Sequence, residues 1–146
     1  MKVQDILNVK GTHVISVHQE KTVYEAMQTF AKNKVGSLLV LDDNGIAVGI
    51  IAARDVLMET LKSCEEIKST KVKDIMTKEI IVASPEDSIE EVEKLMTVNR
   101  IRHVPIVKER EIAGLISIGD VVKAQLRDLH VENRYLKDYV SGKYPA

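Results

Sequence analysis

The chain has 146 residues, a formal net charge of −1 and a hydrophobic fraction of 45%. This length suits one ordinary domain or two small units that share a core. Because charges of both signs are interspersed, the sequence lacks the single-sign field that binds nucleic acids or anionic membranes. One Phe, four Tyr and no Trp leave few rings on which bases could stack. We therefore expect no nucleic-acid partner and no membrane partner.

The cysteine count and the hydropathy pattern bear on the compartment. Cys64 is the only cysteine, which excludes an intrachain disulfide and a cysteine-rich zinc site. The longest apolar run, residues 46–53, is too short to cross a bilayer, and residues 1–5 lack the apolar core of a signal peptide. These features predict a soluble cytoplasmic protein.

The first elements are an apolar arm, a short extended segment and a helix. Residues 1–7 form the arm, and residues 14–17 form the extended segment. Thr22 and Glu25 then supply the capping box of a helix that is predicted to end near Lys34. Apolar side chains recur along this helix at i, i+3, i+4, i+7 and i+8, which predicts one apolar stripe.

A hairpin and a second helix follow. Residues 37–41 predict a buried strand, Asn44-Gly45 supplies the turn signal, and residues 46–52 predict the returning strand. The next helix begins near Val56 and ends in the polar segment 63–66, which is the predicted linker.

After the linker the pattern of the first half begins again. Residues 72–76 repeat the spacing of residues 3–7, and residues 80–82 repeat the first extended segment. Ser88 and Glu91 restate the capping box. The hairpin then returns with a shorter turn, and its second strand is followed by a helix, as in the first half. The chain is therefore predicted to be a tandem repeat whose copies pack on each other.

The corner between the last strand and the last helix carries Ser117 and Asp120. In one interpretation, Ser117 is the helix N-cap and Asp120 its partner in the first turn, and this stretch alone favours that interpretation. In the other, the hydroxyl and the carboxylate bind a vicinal diol such as that of a ribose. Asp55 stands at the equivalent corner of the first copy, where Ala52 replaces the hydroxyl.

These motifs together resemble the CBS domain, named for cystathionine β-synthase, in two copies. In the first copy the resemblance rests on residues 42–45 and on Gly49-Ile50-Ile51-Ala52-Ala53-Arg54-Asp55. In the second it rests on residues 74–77, on Arg102-His103-Val104-Pro105-Ile106-Val107 and on Gly114-Leu115-Ile116-Ser117-Ile118-Gly119-Asp120. The resemblance covers about residues 1–128.

The resemblance implies an α/β (α+β) fold of tandem CBS repeats. Each repeat is expected to be a small three-stranded sheet with two helices, and the two repeats are expected to form a pseudo-two-fold pair. The expected boundaries are residues 1–67 for repeat 1, residues 68–128 for repeat 2 and residues 129–146 for a C-terminal helical tail. The apolar stripes of the two capped helices, together with the resemblance, predict a homodimer that forms a flat disc of four repeats.

The resemblance also implies an adenosyl ligand, such as AMP, ADP, ATP or NAD, in the cleft between the repeats. The site led by repeat 2 combines ribose, base and phosphate contacts. Because the family binds ribose at this position, the resemblance makes the ribose interpretation of Ser117 and Asp120 the favoured one. Arg102 and His103 have alternatives as a surface charge and a structural histidine. The predicted residues of this site are Ile80, Ile81, Arg102, His103, Val104, Pro105, Ser117 and Asp120.

The site led by repeat 1 is predicted to bind more weakly. It keeps Asp55 but has Ala52 at the hydroxyl position, and Arg54 is its candidate phosphate contact. Its predicted residues are His13, Val14, Ser37, Ala52, Arg54 and Asp55.

No enzymatic motif accompanies these sites. The four histidines share no metal-ligand spacing, and neither HExxH nor a phosphate loop occurs. The expectation is a non-catalytic regulatory module with no catalytic cofactor and no metal; the alternative is a constitutive protein-interaction scaffold without a physiological ligand. The last helix carries one seam at alternating steps of three and four residues. The seam contacts a dimer partner or target protein, or it packs on the module itself. Its residues include Leu126, Leu129, Asn133, Leu136 and Val140.

Overall fold

A computed structural model describes residues 1–140, without the side chains of Tyr135, Asp138, Tyr139 and Val140. Tyr144 and the rest of residues 141–146, the end of the predicted tail, lie outside the described residues. The helices are α1 Val3–Lys10, α2 Val23–Asn33, α3 Ala53–Ser63, α4 Val72–Ile75, α5 Ile89–Asn99 and α6 Ile118–Val140, with a 3₁₀ turn at Cys64–Glu66. The strands are β1 Ser16–His18, β2 Ser37–Leu41, β3 Ala47–Ala52, β4 His103–Lys108 and β5 Glu111–Ser117.

These elements form two compact units that do not follow chain order. One unit contains residues 13–81, and the other contains residues 1–12 together with the chain from Val82 onward. Helix α1 precedes the first repeat in sequence but packs in the unit of the second, and α4 packs in the unit of the first. The predicted boundary between residues 67 and 68 separates the two repeats in the sequence. Each compact unit, however, includes a leading helix that lies outside its own repeat.

The unit of residues 13–81 is built on a three-stranded sheet in the order β1-β2-β3. Strand β1 runs parallel to β2, and β2 runs antiparallel to β3. Thr22 caps α2, since its side chain accepts the N–H of Glu25 at 3.1 Å, as the capping box predicts. The buried core residues are Val17, Val23, Ala26, Leu38, Val40, Ile51, Val56 and Val72.

The other unit repeats this plan with a two-stranded sheet, β4 antiparallel to β5. Ser88 caps α5, since its hydroxyl accepts the N–H of Glu91 at 3.1 Å. The apolar arm is a helix, α1, whose Val3, Ile6 and Leu7 are buried. The other buried core residues are Ala83, Ile89, Val92, Met96, Val104, Ile106, Ile116, Val121 and Ala124.

The strand predicted at residues 80–82 does not form, which corrects the expectation of three strands in this repeat. Ala83 alone makes an isolated parallel bridge with Ile106. The ladder does not continue beyond Ala83, because the N–H of Ser84 donates to the Asp87 side chain at 2.8 Å and Pro85 has no N–H to donate. The third strand is therefore reduced to one bridged residue.

The apolar stripes of α2 and α5 face the cores of their own units. In α2, Val23 and Ala26 are fully buried, and in α5, Ile89, Val92 and Met96 are at most 3% exposed. The most buried members of both stripes therefore pack in their own units, and the homodimer stays a prediction.

Candidate functional site

Two equivalent corners join a strand directly to a helix. Strand β3 ends at Ala52 where α3 begins at Ala53, and β5 ends at Ser117 where α6 begins at Ile118. At both corners a backbone carbonyl accepts the first helical N–H: Gly36 accepts from Ala53 at 3.0 Å, and Arg102 accepts from Ile118 at 2.8 Å. The remaining first-turn N–H groups are left for side chains or solvent. The two corners therefore share a backbone arrangement and differ in their side chains.

In the second-repeat corner, Ser117 and Asp120 form a reciprocal capping box. The Asp120 N–H donates to Ser117 Oγ at 3.1 Å, and the Ser117 N–H donates to Asp120 Oδ2 at 2.8 Å. The capping interpretation of this pair is confirmed. The ribose interpretation stays a prediction.

Lys10, at the end of α1, is a charged partner of this corner that the sequence did not reveal. Its ammonium donates to the Leu115 carbonyl oxygen at 2.6 Å and to Asp120 Oδ2 at 2.7 Å. The Asp120 side chain is 17% exposed and that of Lys10 is 36% exposed, so the ion pair lies at the surface of its unit. No motif signals this contact, because it joins residues that are distant in sequence.

The charges at this corner shift two pKa values. Burial by itself would raise the pKa of Asp120, but the hydrogen bonds from Lys10 and from the Ser117 N–H, together with the Lys10 charge, bring this pKa below its ordinary value. Burial, and then the positive charges of Lys10 and Arg102, lower the pKa of His103, although Asp120 opposes this shift. At neutral pH the corner thus holds a carboxylate and a neutral imidazole.

Strand β4 presents its predicted site residues on both faces. His103 pairs with Ser117 and Pro105 pairs with Leu115, so these four residues share one face of the ladder. Val104 is fully buried in the core, so its side chain occupies the opposite face. The sheet therefore brings His103 and Pro105, but not the Val104 side chain, to the face of the Ser117 corner.

The remaining predicted residues of this site are placed differently. Arg102 is exposed, and its carbonyl oxygen accepts the Ile118 N–H at 2.8 Å. Ile80 and Ile81 are half-buried and belong to the unit of residues 13–81.

A groove of about 400 Å³ begins at Asp120 and runs between α1 and α6. Its walls combine apolar side chains with cationic ones around the single carboxylate. The lining residues are Ile6, Val9, Lys10, Asp120, Lys123, Leu126, Arg127 and His130.

The first-repeat corner has half of the same hydrogen bonding. The Ala52 N–H donates to Asp55 Oδ2 at 2.8 Å, but Ala52 has no hydroxyl to return. Across the ladder, Ser37 pairs with Ala52 and is 2% exposed, and Ser37 Oγ has no hydrogen-bond partner among the described residues. Ser37, one of the residues predicted for this site, therefore brings a buried hydroxyl from β2 next to the corner.

The other residues predicted for the first-repeat site are less buried. Arg54 and His13 are exposed, and Val14 is half-buried. All of them belong to the unit of residues 13–81.

Within the described residues, no group of three or more His, Cys, Asp or Glu side chains could hold a metal ion. In residues 1–140, no helix is both long enough and apolar enough to cross a bilayer.

The model of the CBS domain matches this chain twice, at residues 3–62 and 72–127. The chain belongs to the CBS-domain family. The matching model is that of the CBS domain and not of a catalytic domain. Both matches include one of the two strand-to-helix corners.

Solved CBS structures share the fold. A CBS-domain containing protein from Agrobacterium tumefaciens is 33% identical, with a TM-score of 0.82 over 85% of this chain and 92% of that one. The CBS domain pair of protein MJ0100, solved with 5′-methylthioadenosine and S-adenosyl-L-methionine, is 26% identical, with a TM-score of 0.76 over 88% of this chain and 98% of that one. A CBS pair of this fold thus binds adenosyl ligands.

Relatives in sequence include both short and long CBS proteins. The mitochondrial CBS domain-containing protein CBSX3 of Arabidopsis thaliana is 35% identical over 97% of this chain and 73% of its own length. The inosine-5′-monophosphate dehydrogenase of Methanocaldococcus jannaschii is 38% identical over 75% of this chain but only 21% of its own length. The chain therefore spans about a fifth of the dehydrogenase.

Proposed function

We propose that this protein is a non-catalytic regulatory module that binds an adenine nucleotide or another adenosyl ligand at the Ser117–Asp120 corner and signals its level to a partner. The observation that carries the proposal is the ionised, partly exposed carboxylate of Asp120 at the mouth of a groove with cationic walls. The adenosyl ligands bound by the MJ0100 pair support the ligand class.

The ribose diol is assigned to the free side of the Asp120 carboxylate. Oδ2 is occupied by the Ser117 N–H and by Lys10, whereas Oδ1 has no hydrogen bond within the described residues. A carboxylate oxygen accepts hydrogen bonds from hydroxyl groups more strongly than a neutral acceptor does. The ribose therefore binds Oδ1 without dismantling the capping box.

The phosphate groups are assigned to the cations around Asp120. Lys10 is already at this corner, Arg102 lies just before β4 on the same unit, and the neutral imidazole of His103 beside it can donate a hydrogen bond to a phosphate oxygen. A ligand phosphate gives Lys10 a second anion, so we expect its ammonium to shift from Asp120 toward the phosphate. The half-buried Leu115 and the buried Pro105, on the His103 face of the sheet, offer apolar contacts for the base.

The first-repeat corner is the weaker binding site in this proposal. Asp55 supplies the carboxylate, and the buried hydroxyl of Ser37 gains a partner when a ligand is bound, which removes the cost of an unsatisfied polar group. Arg54 is the phosphate contact.

A thermal-shift panel with AMP, ADP, ATP, NAD and S-adenosylmethionine tests the ligand class, because a ligand that binds the folded state raises its melting temperature. The matched control is 2′-deoxy-AMP, which keeps the base and the phosphate but lacks one hydroxyl of the diol. We expect at least one ribonucleotide to stabilise the protein and the deoxynucleotide to do so less. If no adenosyl ligand shifts the melting temperature at millimolar concentration, the scaffold function is favoured instead.

We further propose a cytoplasmic location and a separate target protein. The proposal for the compartment rests on the single cysteine, Cys64, which is exposed and free. Cell fractionation tests it, and the mitochondrial name of the Arabidopsis relative makes the organelle fraction the informative comparison.

A further inference from the structure

The last helix leaves the buried core of its unit after Ala124, while Leu126, Arg127 and His130 still line the groove beside α1. Val121 and Ala124 are at most 1% exposed, whereas every described side chain from Gln125 to Lys137 is exposed. A helical segment of this length is marginal by itself in water. Contacts along its exposed apolar face would add to the stability that its buried first turns supply.

Large apolar side chains lie along one face of this segment at heptad spacing. Val122 is 45% exposed, Leu126 50%, Leu129 60% and Leu136 53%. Successive residues on this face are alternately four and three positions apart, and Asn133 fills the position between Leu129 and Leu136. In heptad terms, Leu126 and Asn133 are a positions, whereas Leu129 and Leu136 are d positions. We call this face the α6 seam.

We propose that the α6 seam pairs with the same seam of a second copy as a parallel, two-stranded coiled coil. Leucine at d positions favours two strands, and a single asparagine at an a position specifies register and oligomeric state. Leu129, Asn133 and Leu136 have this arrangement. The occupant of the seam is thus a second copy of the chain.

The charges beside the seam decide the orientation. The e positions are Lys123, His130 and Lys137, and the g positions before Asn133 are Gln125 and Glu132. A parallel pair places each Glu132 against Lys137 of the other copy. An antiparallel pair would place the lysines of the e positions against each other, which is repulsive. Only the parallel orientation is complementary.

This pairing connects the assembly to the candidate site. Helix α6 begins at the Ser117 corner, and the seam begins only two residues after Asp120. One continuous helix therefore joins the ligand-binding corner to the contact between copies. The inference does not depend on the ligand, since it rests on the seam alone.

Cysteine cross-linking of the full chain tests the parallel contact. In a Cys64→Ser background, Leu136→Cys places two thiols together at a d position, within the short Cβ separation that a disulfide requires. The matched control is Arg134→Cys, at an exposed b position that faces away from the partner. We expect oxidation to give a covalent dimer with Leu136→Cys and mainly monomer with Arg134→Cys. No dimer with Leu136→Cys, or equal dimer with both, overturns the proposal.

Charge exchange at the exposed g and e positions gives an independent test without disturbing the core. Glu132→Lys alone and Lys137→Glu alone each place like charges together, so both variants should dissociate at higher concentration than the wild type in analytical ultracentrifugation. Mixing the two variants restores opposite charges and should restore the dimer. Asp128→Lys, the same charge change at a c position, should have little effect. The proposal is wrong if mixing restores nothing, or if Asp128→Lys weakens the dimer as much as Glu132→Lys does.

Discussion

The corners at Ala52–Asp55 and Ser117–Asp120 have the same backbone but different chemistry. In both, the carboxylate at the third helical position accepts the N–H of the last strand residue at 2.8 Å. Only at the second corner does a side-chain hydroxyl, that of Ser117, accept a first-turn N–H, and only there does Lys10 pair with the carboxylate. A shared capping geometry therefore leaves the side chains free to differ.

The charge of the leading segment differs as well. Counting from the shared pattern at Val3 and Val72, Glu79 stands at the sequence position that Lys10 holds in the other copy. A cation at this position favours an anionic ligand, whereas a carboxylate opposes one. We therefore expect the second-repeat corner to bind a phosphate-bearing ligand more tightly.

Removing the carboxylate at each corner should reveal the largest difference in nucleotide affinity between the two corners. A charged hydrogen bond to a ribose is worth about 1.5–3 kcal/mol, so Asp120→Ala should weaken nucleotide binding by about ten- to a hundredfold. Asp55→Ala is the matched control and should change the tighter binding event little. Titration calorimetry measures both. If Asp55→Ala removes the tight site and Asp120→Ala leaves it intact, the two corners have been assigned in the wrong order.

Glycines at equivalent strand positions should respond unequally to a methyl group. A Cβ on Gly49 would lie 2.9 Å from the Thr77 carbonyl oxygen, and the Thr77 backbone is held by two hydrogen bonds to Ile50. The three atoms nearest to a Cβ on Gly114 would all belong to the Leu7 side chain, the closest at 2.6 Å, so a side chain rather than the backbone would have to move. We expect Gly49→Ala to lower the free energy of unfolding by about 1–3 kcal/mol and Gly114→Ala by less. Denaturant titration measures the difference, and the reverse order would contradict this account.

Removing the hydroxyl of Ser117 separates capping from binding. Ser117→Ala should cost about 0.5–2 kcal/mol of stability, the usual value of a lost N-cap. Ser88→Ala removes an equivalent cap from α5 and should cost a similar amount. Only Ser117→Ala should also weaken nucleotide binding, by up to about tenfold. Equal nucleotide affinities of the two variants would leave Ser117 with a capping role alone.

The smallest expected effect concerns His103 and pH. Because burial and the Lys10 charge lower its pKa in the folded protein below 6.5, the unfolded chain binds more protons in this range, and stability falls as the pH drops below about 6.5. His103→Gln should make the melting temperature less dependent on pH between 7.5 and 5. The exposed His13→Gln is the control and should leave the dependence unchanged. An unaltered slope for His103→Gln would show that this histidine titrates normally.

The sequence by itself determined the repeat, most elements and the family. Capping boxes at Thr22 and Ser88 were readable because they depend on residues three positions apart. The strand at residues 37–41 was readable because the apolar run is too short for an ordinary helix and is followed closely by the Asn44-Gly45 turn signal. Asp55 and Asp120 could be located for the same reason, since each follows its strand at a fixed distance.

Only the tertiary structure decided which segments complete each unit. The placement of α1 in the unit of the second repeat brings Lys10 to Asp120, and the ladder across β2 and β3 brings Ser37 to Ala52. The most buried residues of the capped helix stripes pack in the cores of their own units, which their spacing alone did not show. Periodicity shows that a face is apolar, but what covers it depends on contacts between residues distant in sequence, which no local pattern encodes.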